Sequence, residues 1–129
     1  MHARNIAHRD IKPENILLES LEKLEIKLTD FGFATYFNER DQLDEVLGSP
    51  LYMPPEIVRQ QRYDSKVDVW SAGAVAHILL SGRPPFMGQT KEGVYKSIKE
   101  DPLNFSLKEW KNISVVAQDF VEKALRKNP

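Results

Sequence analysis

An apolar stretch near the middle of the chain restricts its fold more than any other segment. Residues 67–80 present apolar side chains on nearly every side of a helix, with Asp68 among them. A helix of this kind has to be covered by other elements. The Asp-Ser pair at 64–65 suits an N-cap, and the sequence SGRPP at 81–85 ends the helix, because Gly supports a left-handed cap and Pro cannot continue the hydrogen-bond ladder. The sequence therefore predicts a buried central helix.

The regions on either side of this helix differ in character. Short β-like runs precede it at residues 5–7, 16–18 and 26–28. These runs predict small strands that carry loops. Residues 35–55 keep no apolar period and include Gly48 and three prolines, so a long irregular segment is expected there. Apolar stripes predict two further helices, one at about 91–99 and one that starts at Ser114.

The composition excludes several classes of function. Eighteen Lys and Arg residues against 19 Asp and Glu residues give a net charge of −1, so neither nucleic acid nor a membrane is expected as a partner. The absence of cysteine rules out a thiol nucleophile, a disulfide framework and a cysteine-based zinc site. The apolar stretch is too short to cross a bilayer and no secretory leader opens the chain, which predicts a cytoplasmic protein.

The residues that carry chemistry are concentrated in the first third of the chain. The sequence HRDIKPEN at 8–15 is followed by DFG at 30–32. A carboxylate and a carboxamide on two short loops make an oxygen-rich site suited to Mg²⁺, which keeps several waters and binds phosphate oxygens. Taken singly, Asp10, Asn15 and Asp30 also suit ordinary turns. These residues therefore indicate a site only because they occur together and in this order.

In this order the motifs resemble those of a protein kinase. The resemblance continues through GSPLYMPPE at 48–56, which is similar to the end of an activation segment, and through DVWSAG at 68–73, which is similar to the family's central helix. It implies a mainly α fold, the kinase C-lobe, in which short β-hairpins carry the catalytic loops and a helical bundle surrounds the buried helix. Residues 1–129 are then expected to be a partial kinase domain that lacks its N-lobe.

The resemblance implies a role for each matching residue. Asp10 is the expected catalytic base toward a substrate hydroxyl, and Lys12 is expected to stabilise charge on the transferred phosphoryl group. Ser49, in place of the family's usual threonine, is expected to hydrogen-bond near both. Asn15 and Asp30 are the expected Mg²⁺ ligands against the phosphates of ATP. The position of the lysine within this loop resembles the serine/threonine branch.

Other residues complete the implied nucleotide and substrate site. Leu17 is expected in the floor of the adenine pocket. Glu14 is grouped with Lys12, Asn15, Leu17 and Asp30 on the nucleotide side, and it also resembles the residue that binds a basic group upstream of the phosphorylated hydroxyl. The implied substrate is a protein Ser or Thr with a basic residue before it.

The later motifs favour one group of kinases. The sequences GRPPF at 82–86, GQT at 88–90 and WKNIS at 110–114 most resemble the calcium-dependent and calmodulin-dependent group. Regulation by calmodulin or a calcium sensor is therefore expected by analogy alone, because no EF-hand loop occurs in the sequence.

Four predictions concern the surroundings of the site. In the family pattern, Asp68 binds backbone amides near His8 and Arg9, since a buried carboxylate needs partners. His8 and Phe31 are expected to stack, whereas Glu56 has no expected partner within the chain. Trp70 is expected in the core and Trp110 in a surface groove.

A fifth prediction concerns the activation segment. No Ser, Thr or Tyr lies between Phe37 and Gly48. Counted back from Glu56, Glu45 occupies the position of the family's main phosphorylated residue. A permanent carboxylate there is expected to pair with Arg9, so that activation does not need phosphorylation of the segment.

Two classes of function stay open on the sequence. One is an ATP-dependent serine/threonine kinase of which this chain is the catalytic half. The other is a non-catalytic docking or pseudokinase module. Residues 1–129 contain no Gly-rich loop and no strand lysine of the kinase type, so the chain alone is expected to be inactive and to leave part of its central helix uncovered.

Overall fold

The predicted central helix is present in a computed structural model that describes residues 1–38 and 43–128. It is helix α2, Lys66–Ser81, which follows Ser65 at the N-cap. Gly82 ends it with a left-handed φ of 72°, and its N–H donates to Ile78 O over 2.7 Å. The prediction from residues 64–85 is therefore confirmed.

Among the described residues, three shorter helices accompany α2, namely α1 (Pro55–Val58), α3 (Lys91–Glu100) and α4 (Val115–Ala124). Side-chain caps fix where the last two begin. The Thr90 hydroxyl accepts from Gly93 N over 3.1 Å, and the Ser114 hydroxyl accepts from Ala117 N over 3.2 Å. The helix predicted at about 91–99 is confirmed and ends one residue later. The helix predicted to start at Ser114 is also confirmed, with Ser114 as the N-cap and Val115 as the first helical residue.

The strands form two small antiparallel sheets. Strand β1 (Ile6–Ala7) pairs with β4 (Thr35–Tyr36), and β2 (Ile16–Ser20) pairs with β3 (Glu25–Leu28). Because Ile16 lies opposite Leu28, the residues just before β2 and just after β3 meet at one end of the hairpin. This pairing brings the loops at 8–15 and 29–34 together.

The segment predicted to be irregular has no regular secondary structure over most of its described length, as expected. It contains β4, a 3₁₀ turn at Pro50–Tyr52 and the start of α1. The part of the prediction that falls on residues 39–42 lies outside the described residues. The helices and small sheets confirm the expectation of a mainly α fold.

The main core lies between α2, α3 and α4. Its buried members are Trp70, Ala74, Phe86, Val94, Ile98, Trp110, Val121 and Leu125. A Cβ on Gly73 would meet Ala124 Cβ at 2.7 Å, so glycine permits the close contact between α2 and α4. The prediction that Trp110 lies in a surface groove is wrong. This residue is 1% exposed, because Phe105 and His77 pack their rings against its indole at centroid distances of 4.7 and 4.8 Å.

Within residues 1–38 and 43–128, no helix has both the length and the apolar character needed to cross a bilayer.

One side of α2 stays uncovered, as the sequence predicts. Val69 is 48% exposed and Leu79 77% exposed. Together with Met1, Ala72 and Phe120, Val69 lines a groove of ≈ 500 Å³, which we call the apolar groove.

We expect residues 1–129 to bind a hydrophobic dye or to self-associate, because exposed apolar surface of this extent favours both. Dye fluorescence should rise several-fold over a blank, and Val69→Lys should reduce it. The matched control is Val115→Lys, an exposed valine of α4 outside the groove. A sharp two-state melt of a monomer that binds no dye would contradict the prediction.

Candidate active site

The carboxylate of Asp68 fixes the loop that carries the first motif. Asp68 is 3% exposed, and its two oxygens accept from His8 N and Arg9 N, each over 2.8 Å. Arg9 has a left-handed φ of 69°, which is uncommon for a residue with a side chain. The two bonds from Asp68 stabilise that conformation and confirm the predicted partners of this buried carboxylate.

Sequence reasoning missed a third partner of Asp68. His2 Nε2 lies 2.7 Å from Asp68 Oδ2 and therefore donates to it. The one signal in the sequence was chemical. A buried carboxylate can accept more hydrogen bonds than the two that backbone amides supply, so a further donor was to be expected. This contact joins the start of the chain to α2.

His8 connects the two loops of the site. Its Nε2 donates to Thr29 O over 2.9 Å, while its Nδ1 accepts from Asp10 N over 3.3 Å, so the ring is the neutral Nε2–H tautomer. Its ring centroid lies 5.0 Å from that of Phe31, which confirms the predicted stack.

Asp10, Lys12 and Ser49 form one hydrogen-bonded cluster. Lys12 Nζ donates to Asp10 Oδ2 over 2.7 Å and to Ser49 Oγ over 3.1 Å. Ser49 Oγ donates to Asp10 Oδ1 over 3.1 Å. Burial alone would raise the pKa of Asp10, but the bonds from Lys12, Ser49 and Asn15 outweigh it and lower the pKa below 3.8. The carboxylate is therefore ionised at neutral pH.

Asn15 and Asp30 present oxygens at the end of the β2–β3 hairpin. Thr29 N donates to Asn15 O over 2.9 Å and so places Asp30 beside Asn15. Asn15 Nδ2 donates to Asp10 O and to Asp10 Oδ2, which leaves Oδ1 as a ligand atom. Asp30 Oδ1 accepts from Gly32 N over 3.2 Å, and Oδ2 stays available.

These donors fit Mg²⁺ better than a metal that prefers nitrogen or sulfur ligands, such as Zn²⁺. Carboxylate and carboxamide oxygens are hard ligands, and Mg²⁺ takes one or two of them together with water and phosphate oxygens. Across residues 1–38 and 43–128, no group of three His, Cys, Asp or Glu side chains could enclose a metal ion by itself. The two loops can therefore contribute part of a coordination shell that a phosphate ligand completes.

The other two predicted site residues lie outside the hydrogen-bonded cluster. Glu14 is exposed on the 3₁₀ turn Pro13–Asn15, near enough to Lys12 and Tyr52 to raise the pKa of each. The largest influence on the pKa of Lys12 is its hydrogen bond to Asp10, and the largest influence on the pKa of Tyr52 is burial. Leu17 is 53% exposed on β2, opposite Lys27.

The predicted pair in the activation segment is present. Arg9 Nη1 donates to Glu45 Oε2 over 2.6 Å, and Arg9 Nε donates to Phe33 O over 2.6 Å. One guanidinium therefore joins the region after DFG to the middle of the segment.

Glu56 has no ion-pair partner within 4.0 Å among residues 1–38 and 43–128. Burial raises its pKa above 4.5, and the repulsion of Asp64 adds to this, although its own backbone N–H and nearby cations oppose it.

We expect Glu56→Gln to raise the Tm of residues 1–129 by about 2–5 °C near neutral pH. Above the raised pKa the ionised carboxylate destabilises the fold, and this penalty disappears as the pH falls through that pKa toward 4.5. The gain in Tm should therefore shrink on acidification. Melts at several pH values test this, with the exposed Glu22→Gln as control. An unchanged gain at acidic pH would contradict it.

Comparison with known proteins agrees with this geometry. The family model described as "Protein kinase domain" matches residues 1–129. Calcium-dependent protein kinase 1 of Arabidopsis thaliana is 43% identical over 129 residues, covering 99% of this chain and 21% of the relative. Calcium-dependent protein kinase 9 of Arabidopsis thaliana is also 43% identical, with 99% and 24% covered. Calcium-dependent protein kinase 11 of Oryza sativa subsp. japonica is 40% identical, with 99% and 22% covered.

The chain thus spans between a fifth and a quarter of the length of these relatives. Their names confirm the similarity to the calcium-dependent group that residues 82–90 and 110–114 indicate. The family model matches the chain along its whole length, and His8 joins the two loops that carry the first motifs. The chain therefore belongs to the protein kinase domain family.

Proposed function

We propose that residues 1–129 are a partial kinase domain, most of the C-lobe, and that the full-length gene product is a serine/threonine kinase. It transfers the γ-phosphoryl group of ATP to a Ser or Thr hydroxyl of a protein. The observation that carries this proposal is the cluster of Asp10, Lys12 and Ser49, in which carboxylate, ammonium and hydroxyl are joined by bonds of 2.7 to 3.1 Å. Phosphoryl transfer depends on positioning and charge stabilisation, and this cluster supplies both.

Asp10 is the proposed catalytic base. Because its carboxylate is ionised at neutral pH, it accepts the proton of the substrate hydroxyl as that oxygen attacks the γ-phosphorus and the bond to ADP breaks. Lys12 places positive charge beside the same carboxylate, where the oxygens of the transferred group gain charge. The Ser49 hydroxyl orients the second oxygen of Asp10.

Asn15 and Asp30 are the proposed ligands of Mg²⁺. Bound Mg²⁺ would neutralise charge on the phosphates of ATP. The Asn15 amide is oriented for this role by its two bonds to Asp10, and Asp30 by its bond from Gly32 N. The exposed Leu17 on β2 is proposed to form part of the adenine pocket floor.

Glu14 is proposed to recognise a basic residue in the protein substrate. Two observations support this role: Glu14 is exposed, and it is near enough to Tyr52, on the segment that follows Ser49, to raise the pKa of that phenol. An Arg or Lys upstream of the phosphorylated hydroxyl would pair with it.

The activation segment is proposed to need no phosphorylation. Arg9 is 6% exposed and has Glu45 in place of a phosphate at 2.6 Å. A carboxylate carries less charge than a phosphate at about −1.5 to −2, so we expect it to order the segment more weakly but permanently.

Regulation by calcium is proposed from the names of the relatives alone. The sequence of residues 1–129 holds no EF-hand loop, so a sensor would have to be a separate segment or protein. A cytoplasmic location stays a prediction.

The test of this function compares three proteins in a γ-phosphate transfer assay with a basic Ser peptide. Residues 1–129 alone are expected to give no transfer above a blank, because the Gly-rich loop and its lysine are not among them. The full-length gene product is expected to be active, and so is a chimera that places the N-lobe of a calcium-dependent relative before Met1.

The results test the expected inactivity of the isolated chain and decide between the two classes of function. Turnover by residues 1–129 alone that disappears in Asp10→Asn would contradict the expected inactivity of the isolated chain. A folded chimera and a folded gene product that both bind nucleotide and transfer nothing would favour the non-catalytic docking module.

A further inference from the structure

The backbone between Leu43 and Gly48 is held by Tyr63 as well as by Arg9. Leu43 and Tyr63 form an isolated antiparallel bridge, in which Leu43 N donates to Tyr63 O over 3.0 Å and Tyr63 N donates to Leu43 O over 2.9 Å. Tyr63 lies in the turn between α1 and α2. The activation segment is thereby attached to the start of the central helix.

The hydroxyl of Tyr63 adds a second attachment. It donates to Glu45 O over 2.9 Å and accepts from Arg9 Nη1 over 3.3 Å. Tyr63 is 4% exposed and packs with Met53, Ile57 and Val67. Burial raises the pKa of the phenol despite the bond from Arg9, so the hydroxyl keeps the proton that it donates.

The two attachments of Glu45 differ in their dependence on charge. The carboxylate that meets Arg9 is 62% exposed, and salt therefore screens this ion pair. The bond from Tyr63 joins a buried hydroxyl to a neutral carbonyl, and salt affects it little. The backbone at Glu45 thus has one contact that depends on ionic strength and one that does not.

The position of Glu45 matters for the site because Ser49 follows it by four residues. Ser49 is hydrogen-bonded to both Asp10 and Lys12. Gly48, which lies between Glu45 and Ser49, has a φ of 107°, and this left-handed backbone conformation favours glycine at the position. A shift of the backbone at Glu45 is transmitted along this short segment to the substrate side of the cluster.

We propose that Tyr63 is a positioning residue for phosphoryl transfer, whose hydroxyl fixes the backbone of Glu45, and through it Ser49, independently of the Glu45 charge. The inference rests on the proposed kinase function and names a residue outside its motifs.

The test uses Tyr63→Phe in the full-length gene product, which keeps the ring in the core and removes only the hydroxyl. We expect kcat/KM for a basic Ser peptide to fall about tenfold, because the Glu45 carbonyl loses its donor and Arg9 Nη1 loses an acceptor, while the KM for ATP stays unchanged. Activity should also fall more steeply with added salt, since the Arg9–Glu45 pair is then the remaining contact at Glu45 itself, beside the Leu43–Tyr63 backbone bridge. Tyr36→Phe, at a tyrosine that is 77% exposed, is the matched control and should behave as the unsubstituted protein.

The double variant Tyr63→Phe, Glu45→Gln separates the two contacts. It should be less active than either single variant and should lose the extra salt dependence. Hydrogen exchange of residues 43–47 in the same proteins gives a readout that needs no catalysis, and we expect it to be faster in Tyr63→Phe than in Tyr36→Phe.

Unchanged exchange at 43–47, or a salt dependence in Tyr63→Phe equal to that of the control, would overturn the role of Tyr63. An unsubstituted protein that transfers no phosphate would instead contradict the proposed function, and the exchange measurement would still decide whether Tyr63 fixes the segment.

Discussion

Asp10→Asn in the full-length gene product is expected to lower kcat for peptide phosphorylation by about 10²- to 10⁴-fold, the range that a general base contributes. The amide is nearly the same size as the carboxylate and keeps one oxygen for Ser49 or Lys12. It cannot accept a proton from the substrate hydroxyl at neutral pH, and it no longer offsets the charge of Lys12. Initial rates with labelled ATP and a basic Ser peptide measure the effect.

Asp119→Asn is the matched control for this variant. Asp119 is an exposed carboxylate on α4, and its Oδ2 accepts from Lys123 Nζ over 2.7 Å, as Asp10 Oδ2 does from Lys12. Loss of a surface pair of this kind changes stability little, so kcat should stay as it was. A kcat of Asp10→Asn equal to that of the control would contradict the role of Asp10.

Asp30→Ala is expected to abolish transfer, to below about 1% of the unsubstituted rate, because it removes a proposed ligand of Mg²⁺. Asp30 has a left-handed φ of 56°, which alanine adopts less readily than Asp or Asn. Asp30→Asn is therefore needed as a second variant, since it preserves the backbone and one ligand oxygen while removing the charge. The activity of Asp30→Asn should lie between that of the unsubstituted protein and that of Asp30→Ala, and it should recover partly at high Mg²⁺.

The binding of a fluorescent ATP analogue gives a second readout for Asp30. In the unsubstituted protein, affinity should increase with Mg²⁺, and in Asp30→Ala this increase should disappear. Retained transfer by Asp30→Ala, or an unchanged dependence of binding on Mg²⁺, would overturn the role of Asp30.

Much of the local structure could be predicted because its causes lie within a few residues. Gly82 and the two prolines after it end α2 where expected, and Ser114 begins α4, since caps and missing N–H groups act within one turn. The candidate site residues were found for a related reason. Six of the eight residues in HRDIKPEN either contribute to the site or position it, so a short stretch of sequence contains most of its chemistry.

Contacts between distant residues that no motif indicated depended on the tertiary structure. His2 meets Asp68 across 66 positions and Tyr63 meets Arg9 across 54, and neither pair has a periodic or compositional signal. Trp110 shows the same point for burial, because its ring is covered by Phe105 and by His77 of another helix. Hydrophobic periodicity specifies which side of an element is buried, whereas packing of the helices and loops decides which residue lies against it. For this chain, the order of the motifs and the family resemblance that they carry therefore indicated the loop at 8–15, its bonds to Asp68 and the Arg9–Glu45 pair. The contacts of His2 with Asp68 and of Tyr63 with Arg9 and Glu45 came only from the folded arrangement.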